Sequence, residues 1–233
     1  MLAVIMAAGK GTRMAPLTDT TPKPLLPIAG RPILEYILAS LPPQITEAWV
    51  LVGPHSEQYP EKIGPSFGSI KITYIRCESS GPLAGTAGMI WQIKDRFQND
   101  EPFMVLNGDD VHERDELAKL AKYRYAFGLF KTVPEHNAYR AFELDAKGIV
   151  IGTHFPDEKE MKEGILIATG AYVMDRKIFD YEPFKLKNGE LGLPQTLLKL
   201  AADFPAHGVV MKKWIQINAP ADLVKAEKSL YNQ

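Results

Sequence analysis

Residues 2–14 read LAVIMAAGKGTRM, and this stretch predicts the fold class. The apolar run Leu2–Ala7 predicts a buried β-strand, and Gly9 and Gly11 follow it directly. Backbone N–H groups at such a strand end, with few side chains in the way, can surround the oxygens of a phosphate. The stretch therefore predicts an α/β protein that binds a phosphorylated ligand after its first strand.

The glycine spacing differs from that of two common nucleotide-binding motifs. Met14 stands where a dinucleotide-binding fingerprint has its third glycine, and the Gly-Lys-Ser/Thr ending of a Walker loop is missing. A nicotinamide-dependent oxidoreductase would also need an acidic residue about 20 residues further on. This chain has TPKPLLP at residues 21–27 instead, which argues against that class of enzyme.

Three cations follow the first strand: Lys10, Arg13 and Lys23. Lys10 is expected to be solvated. An arginine can donate two parallel hydrogen bonds to phosphate oxygens, whereas a lysine acts as a point charge. Pro22 and Pro24 restrict the backbone around Lys23, so that less conformational freedom is lost when this side chain binds a ligand. Arg13 and Lys23 are therefore candidate phosphate ligands.

The rest of the chain alternates short apolar runs with helical patterns, which is typical of a layered α/β fold. The pattern changes in the middle, where short apolar runs at 141–144 and 149–153 flank the turn segment DAKG. We predict a single domain over residues 1–233, with a small antiparallel β insertion at about residues 133–175.

Composition limits the classes of partner. The chain has 27 Lys and Arg against 28 Asp and Glu, a net charge of -1, so we expect neither a nucleic-acid nor a membrane partner. Cys77 is the only cysteine, which excludes an internal disulfide and a cysteine-based zinc site. We expect a reduced, cytoplasmic setting.

A second candidate site lies in FMVLNGDDVH, residues 103–112, where an apolar strand ends in two carboxylates. Ligands of α/β folds bind at the carboxyl ends of parallel strands, and Mg²⁺ prefers one or two carboxylates together with phosphate oxygens and water. We predict Asp109 as a Mg²⁺ ligand and Asp110 as the cap of the next helix. Both could instead be simple turn residues, and His112 is expected at a helix start or on the surface.

The segment AAGKGTRMAPLTDTTPKPLLPIAGRPIL, residues 7–34, closely resembles the signature of the sugar-1-phosphate nucleotidyltransferases. Weaker family marks continue to the C-terminus. The resemblance implies a Rossmann-like three-layer α/β/α fold with a mixed sheet. It also implies Mg²⁺-dependent transfer of a nucleotidyl group from an NTP to a sugar 1-phosphate, with release of pyrophosphate.

The resemblance also implies roles for individual residues. Arg13 would hold the triphosphate, Lys23 would stabilise charge at the α-phosphate, and Asp109 matches the family's metal-binding aspartate; these three are the predicted catalytic residues. The other predicted nucleotide contacts are Ala8, Gly9, Gly11 and Thr12 in the first loop and Gly85 and Thr86 in the GTAG segment. The predicted sugar contacts are Asn107, Gly170 and Glu190. Thr86 could instead cap a helix, and Glu190 could be a first-turn acid.

Two stretches depart from the family pattern. In WIQINAPADL, residues 214–223, Gln216 stands where many relatives have a second metal-binding aspartate. We predict Asn218 as the second Mg²⁺ ligand, because an amide oxygen can bind a hard cation, although Asn218 could simply shape the turn. The lysine of the family's Glu-Lys-Pro motif is out of register here, and either Lys159 or Lys162 could replace it.

Two other functions remain open at this level. A nucleotidyltransferase with a non-sugar acceptor such as phosphocholine would fit Asn218, and a non-catalytic regulatory subunit that binds a nucleotide sugar would fit Gln216 and the missing lysine. The sequence names neither the base nor the acceptor, and it is compatible with a homo-oligomer.

Overall fold

The computed structural model describes residues 1–134 and 139–231, and its centre is an eight-stranded mixed β-sheet. The strands are, in chain order, β1 Leu2–Ala7, β2 Glu47–Val52, β3 Ser66–Phe67, β4 Ile70–Arg76, β5 Phe103–Asn107, β6 Ala126–Thr132, β7 Ile165–Met174 and β8 His207–Met211. Their order across the sheet is β8-β6-β7-β5-β1-β2-β4-β3.

Most of the sheet is parallel. Strand β1 pairs in parallel with β2 on one side and with β5 on the other, and β4 continues the parallel set beyond β2. Strand β7 runs antiparallel between β5 and β6. Residues 3–7 of β1 are all buried, as expected of a strand covered on both faces.

Seven α-helices accompany the sheet within the described residues: α1 Ile33–Ser40, α2 Gln58–Ile63, α3 Thr86–Trp91, α4 Arg114–Leu120, α5 Glu158–Glu163, α6 Leu193–Asp203 and α7 Pro220–Tyr231. One core unites Ile5 of β1 with Ile37 of α1 and Leu117 of α4. The opposite core unites Val4 with Ile90 of α3 and Leu197 of α6. Because neighbouring residues of β1 point into different cores, the molecule has three α/β/α layers.

The predicted insertion is smaller than expected. It contains a hairpin, Ala141–Leu144 paired with Val150–His154, followed by α5, which begins with a capping box between Asp157 and Glu160. Strand β7, which the prediction places inside the insertion, runs in the central sheet, because it pairs with β6 along one edge and, at residues 171–174, with β5 along the other. Residues 135–138 of the predicted insertion lie outside the described residues.

Helices α3 and α4 are shorter than their patterns predict. The pattern at residues 113–125 predicts one helix, but α4 runs only from Arg114 to Leu120. The pattern at residues 86–97 predicts one helix, but α3 ends at Trp91 and a 3₁₀ turn follows at Lys94–Arg96. The centre of the Phe97 ring lies 5.2 Å from that of Trp49 and 4.3 Å from that of Phe103, and this packing draws the chain toward the sheet.

Among the described helices, none combines the length and the apolar character that crossing a bilayer requires.

Candidate active site

The glycine loop and the acidic turn meet at the carboxyl edge of the sheet. Strands β1 and β5 are parallel neighbours, with Met6 in register with Asn107. The Gly108 N–H donates to the Met6 carbonyl at 2.9 Å, so the two strand ends stay together where they leave the sheet. This is the edge at which α/β folds bind their ligands.

Backbone contacts hold the glycine loop. Gly11 has a φ of +64°, and an ideal Cβ on it would lie 2.9 Å from Thr18 Cγ2, so this position favours glycine. The Gly11 carbonyl accepts hydrogen bonds from the Met14 N–H at 2.8 Å and from Thr18 Oγ1 at 2.9 Å. Met14, the residue that replaces a third glycine, is fully buried and anchors the loop in the core.

Lys23 lies at the centre of the site. It begins a 3₁₀ turn, Lys23–Leu25, whose preceding residue Pro22 has an extended backbone. The residue is only 7% exposed, and its Nζ lies 2.5 Å from Asp109 Oδ2. A buried ammonium needs such a charged partner, because an unpaired buried charge is strongly unfavourable.

A cavity of about 280 Å³ opens between these segments. It collects most of the predicted site residues: Gly9, Gly11, Thr12, Arg13, Lys23, Thr86, Asn107, Asp109 and Asn218. Arg13 is exposed on the short turn Thr12–Met14, whereas Lys23 is buried at the base of the site. The exposed Arg13 and the buried Lys23 therefore line the same cavity.

The other four predicted residues do not line this cavity. Ala8 is completely buried in the core. Gly85 has a φ of +101°, and an ideal Cβ on it would lie 2.5 Å from the Leu191 carbonyl and 3.0 Å from Glu190 Cβ. Gly85, a predicted nucleotide contact, and Glu190, a predicted sugar contact, are therefore neighbours. Gly170 packs so closely against Asn107 and Asp110 that a Cβ there would overlap both side chains.

Asp110 does not cap a helix, contrary to the prediction, because α4 begins only at Arg114, after Glu113. Its carboxylate accepts hydrogen bonds from Asn107 Nδ2 at 2.8 Å and from Trp214 Nε1 at 2.9 Å. Burial, together with the negative charge of Asp109, raises the pKa of Asp110 well above its ordinary value. Asp110 therefore holds the Asn107 amide at the cavity.

His112 is also placed differently from the prediction of a helix start or surface position. It is 5% exposed and belongs to the strand Asp110–His112, which pairs with Trp214–Gln216. Its Nε2 lies 3.1 Å from the Thr169 carbonyl, and burial lowers the pKa of His112 to about 4. The ring is therefore neutral near pH 7.

The turn that carries Asn218 is tied to the acidic turn. The Ile217 N–H donates to the Asp109 carbonyl at 3.1 Å, and the Asp222 carboxylate accepts the backbone N–H groups of Asn218 and Ala219, both at 2.9 Å. Asp222 thus shapes the turn from its place in the first turn of α7.

The donor set fits a Mg²⁺ ion that takes most of its ligands from phosphate and water. The Asp109 side chain is 30% exposed, and Asp109 and Asn218 line the same cavity. Residues 1–134 and 139–231 contain no group of three or more His, Cys, Asp or Glu side chains that could hold a metal by themselves. One carboxylate with one amide oxygen is a set that suits Mg²⁺ bound together with a nucleotide.

A family model described as nucleotidyl transferase matches residues 2–233. The chain belongs to the nucleotidyl transferase family. The predicted family and the predicted class of enzyme, a nucleotidyltransferase, are thereby confirmed.

Individual relatives agree with this membership. The chain is similar to the bifunctional protein GlmU of Methanocaldococcus jannaschii, with 31% identity over 237 residues that cover 100% of this chain and 55% of that protein. It is also similar to the UTP–glucose-1-phosphate uridylyltransferase of Synechocystis sp., with 28% identity over 255 residues that cover 100% of this chain and 64% of that protein. The chain thus spans between half and two thirds of the length of these relatives.

Among solved structures, a UDP-glucose pyrophosphorylase complexed with UDP-glucose superposes with a TM-score of 0.81. The match covers 99% of this chain and 98% of that one, at 19% sequence identity. This likeness confirms the predicted Rossmann-like α/β fold.

In this nucleotidyl transferase, sequence reasoning missed the packing partners of the site. Trp214 and Thr18 contact Asp110 and Gly11, respectively, from distant or irregular segments. The spacing of the motifs carries no signal for these contacts. An alternation of polar and apolar residues along a strand can show which of its side chains are buried. The strand Asp110–His112 has only three residues, which are too few to show the burial of Asp110 in this way.

Proposed function

We propose that the chain transfers a nucleotidyl group from an NTP to a sugar 1-phosphate. An oxygen of the sugar phosphate forms a bond to the α-phosphorus, the bond from that phosphorus to the β-phosphate oxygen breaks, and pyrophosphate leaves. The reaction needs no covalent intermediate with the protein, so its rate would depend on positioning and on the neutralisation of charge.

The pairing of Lys23 with Asp109 inside the glycine-lined cavity is the observation that carries this proposal. Negative charge grows on the equatorial oxygens of the α-phosphate as the acceptor attacks. A buried ammonium on a proline-flanked turn can stabilise that charge with little reorganisation, because its position is set before the substrates bind.

The leaving pyrophosphate is assigned to the glycine loop of the cavity. The backbone N–H groups of residues 9–12 would bind its oxygens, and Arg13 would contribute two parallel hydrogen bonds from its exposed guanidinium. Gly9 has no side chain, and nothing lies within 4 Å of the place that a Cβ would take there, which leaves room for the phosphates to approach the backbone.

Asp109 and Asn218 would hold Mg²⁺. When bound, the ion would supply positive charge that offsets the negative charge of the phosphates. Asp109, which already accepts a hydrogen bond from the Lys23 ammonium, would then help to hold both positive charges.

The acceptor is assigned to the side of Asn107, Gly170 and Glu190. Asp110 holds the Asn107 amide, and the missing side chain at Gly170 lets the backbone of β7 come close to it. Thr86 accepts a hydrogen bond from the Leu193 N–H at 3.0 Å and so connects the predicted base-binding segment with the start of α6.

A release assay tests the proposal directly. ATP, GTP, CTP, UTP and dTTP are each combined with glucose 1-phosphate, N-acetylglucosamine 1-phosphate and phosphocholine in the presence of Mg²⁺, and pyrophosphate is measured. We expect release with at least one sugar 1-phosphate. Release with phosphocholine alone would indicate the non-sugar acceptor, and nucleotide-sugar binding without any release would indicate the regulatory subunit.

A further inference from the structure

Asp110 is a buried carboxylate directly behind the active-site cavity. It is 1% exposed, and it is not among the residues that line the cavity. Among the residues that the structure describes, no cation forms an ion pair with Asp110, and Lys23 pairs with Asp109 instead. A buried carboxylate without a cationic partner is unfavourable, and a neutral side chain of similar size would pack there at a smaller cost in free energy. Stability alone therefore does not explain a carboxylate at this position.

Two N–H groups bind the Asp110 carboxylate, one on each oxygen. Asn107 Nδ2 donates to Oδ2 at 2.8 Å, and Trp214 Nε1 donates to Oδ1 at 2.9 Å. Trp214 pairs with His112 in a two-stranded ladder, so it lies on the same face as Asp110 and is its diagonal neighbour. The indole thus holds one carboxylate oxygen, while the other oxygen holds the amide of Asn107.

The hydrogen bond to Asp110 sets the orientation of the Asn107 amide. Asn107 is half-buried and lines the active-site cavity. Because Asp110 takes one of its two N–H groups, the second N–H and the amide oxygen are left for a ligand. Gly170 packs against both side chains, which leaves the amide little room to turn. A hydroxyl group, which both donates and accepts a hydrogen bond, matches these two atoms of Asn107.

We propose that Asp110 and Trp214 are positioning residues for acceptor binding. They hold the Asn107 amide so that its oxygen and its second N–H bind a hydroxyl group of the sugar. Asp110 acts through Asn107, and Trp214 acts through Asp110; neither lines the cavity itself. This inference rests on the proposed nucleotidyl transfer and extends it to two residues that the motifs do not mark.

Kinetics of Asp110→Asn test the positioning role, with the NTP and the sugar 1-phosphate that give the highest pyrophosphate release. An amide has one accepting oxygen, so it keeps the size of the side chain but cannot serve both donors. KM for the sugar 1-phosphate should rise about 3- to 10-fold, while KM for the NTP should change by less than about twofold. Asp115→Asn alters an exposed carboxylate of α4 and should change neither value.

A double-mutant cycle tests whether Asp110 acts through Asn107. Asn107→Ala should also raise KM for the sugar 1-phosphate about 3- to 10-fold. In the Asn107→Ala background, Asp110→Asn should then add less than about twofold, because the amide that it orients is already missing. A merely structural role of Asp110 would instead give the same fold-change in both backgrounds.

Trp214→Phe tests the outer residue of the pair and keeps an aromatic ring beside Phe130. Without the indole N–H, Asp110 loses one of its two donors, so KM for the sugar 1-phosphate should rise about 2- to 5-fold. Trp49→Phe is the matched control, because Trp49 Nε1 donates to a carboxylate oxygen of Glu47 at the same distance, 2.9 Å, but in β2. It should leave KM for both substrates unchanged.

The outcomes separate the two proposals, and melting temperatures show which variants fold. An unchanged KM for the sugar 1-phosphate in Asp110→Asn, an equal rise for both substrates, or equal fold-changes in the two backgrounds overturns the positioning role and leaves nucleotidyl transfer standing. If Asp110→Asn does not fold, the same three results for Trp214→Phe overturn it. No pyrophosphate from the wild-type chain with any acceptor overturns nucleotidyl transfer, and the positioning role with it.

Discussion

The glycine loop at residues 8–14 follows the carboxyl end of β1, whereas the hairpin at residues 141–154 lies between β6 and β7 in the chain, and different contacts hold the two segments. Backbone hydrogen bonds and a buried methionine hold the loop. The hairpin has a backbone ladder of its own, and side-chain contacts reinforce it: Arg140 on Thr153, and His154 between Glu143 and Glu160. Changes of these side chains can therefore alter the hairpin without altering the proposed nucleotide site.

The largest effect is expected on the nucleotide side of this comparison. Lys23→Ala removes the buried ammonium that we assign to the α-phosphate, and it should cost about 2.7–4 kcal/mol of transition-state stabilisation, or about 10²–10³-fold in kcat/KM. Lys10→Ala, an exposed cation in the same loop, is the control and should have little effect. Near-normal kcat/KM in folded Lys23→Ala would contradict the assignment of Lys23.

The next effect concerns Gly170 of β7, which packs against Asn107 and Asp110. Gly170→Ala places a Cβ against Asn107 and Asp110 at a φ of +76°, so it should lower the free energy of unfolding by about 1–3 kcal/mol. Gly152→Ala is the control within the hairpin, because nothing lies within 4 Å of an ideal Cβ there. Urea denaturation measures both, and equal stability of the two variants would show that the close approach at Gly170 is unimportant.

A smaller effect should separate the two proposed metal ligands. Asn218→Ala removes the neutral amide oxygen and should weaken Mg²⁺ binding in the presence of nucleotide on the order of 10-fold. Asn218→Asp restores an oxygen at that position and should bind Mg²⁺ at least as well as the wild type. Titration of Mg²⁺ against pyrophosphate release measures the apparent affinity. If Asn218→Ala matches the wild type, Asn218 only shapes the turn.

The smallest effect should be confined to the hairpin side. Hydrogen bonds that the His154 ring donates to the carboxylates of Glu160 and, to a smaller extent, Glu143 raise the pKa of His154 above its ordinary value of 6.5. Because the pKa is higher in the folded protein, the stability that protonated His154 contributes is fully present below pH 6.5. It is lost as the pH rises through the pKa of the folded state. An NMR titration should show this raised pKa and a lower one in Glu160→Gln, whereas Glu158→Gln, an exposed neighbour, should leave it unchanged.

Much of the fold could be predicted because its signals are local. The apolar runs at residues 126–132 and 165–174 predict buried strands, and the structure has β6 and β7 there. Assigning β7 to the insertion was wrong, because the sheet to which a strand belongs depends on its distant partners β5 and β6. The ends of α3 and α4 likewise depend on packing that no repeat in the sequence encodes.

The sequence by itself determined the chemistry that is contiguous along the chain. Neighbouring residues along the chain set three features: the backbone N–H groups of the glycine loop, the prolines on either side of Lys23, and the carboxylate of Asp109 after a buried strand. Their roles as ligands of nucleotide and metal stay predictions.

The tertiary structure decided which of these groups meet. Lys23 and Asp109 are 86 residues apart and come within 2.5 Å only because β1 and β5 are neighbours in the sheet. Asp110 is held inside the protein by a hydrogen bond from Trp214, 104 residues away, and supports Asn107. Hydrogen bonds and ion pairs act over a few ångströms, so a contact between distant segments exists only once the whole sheet has formed.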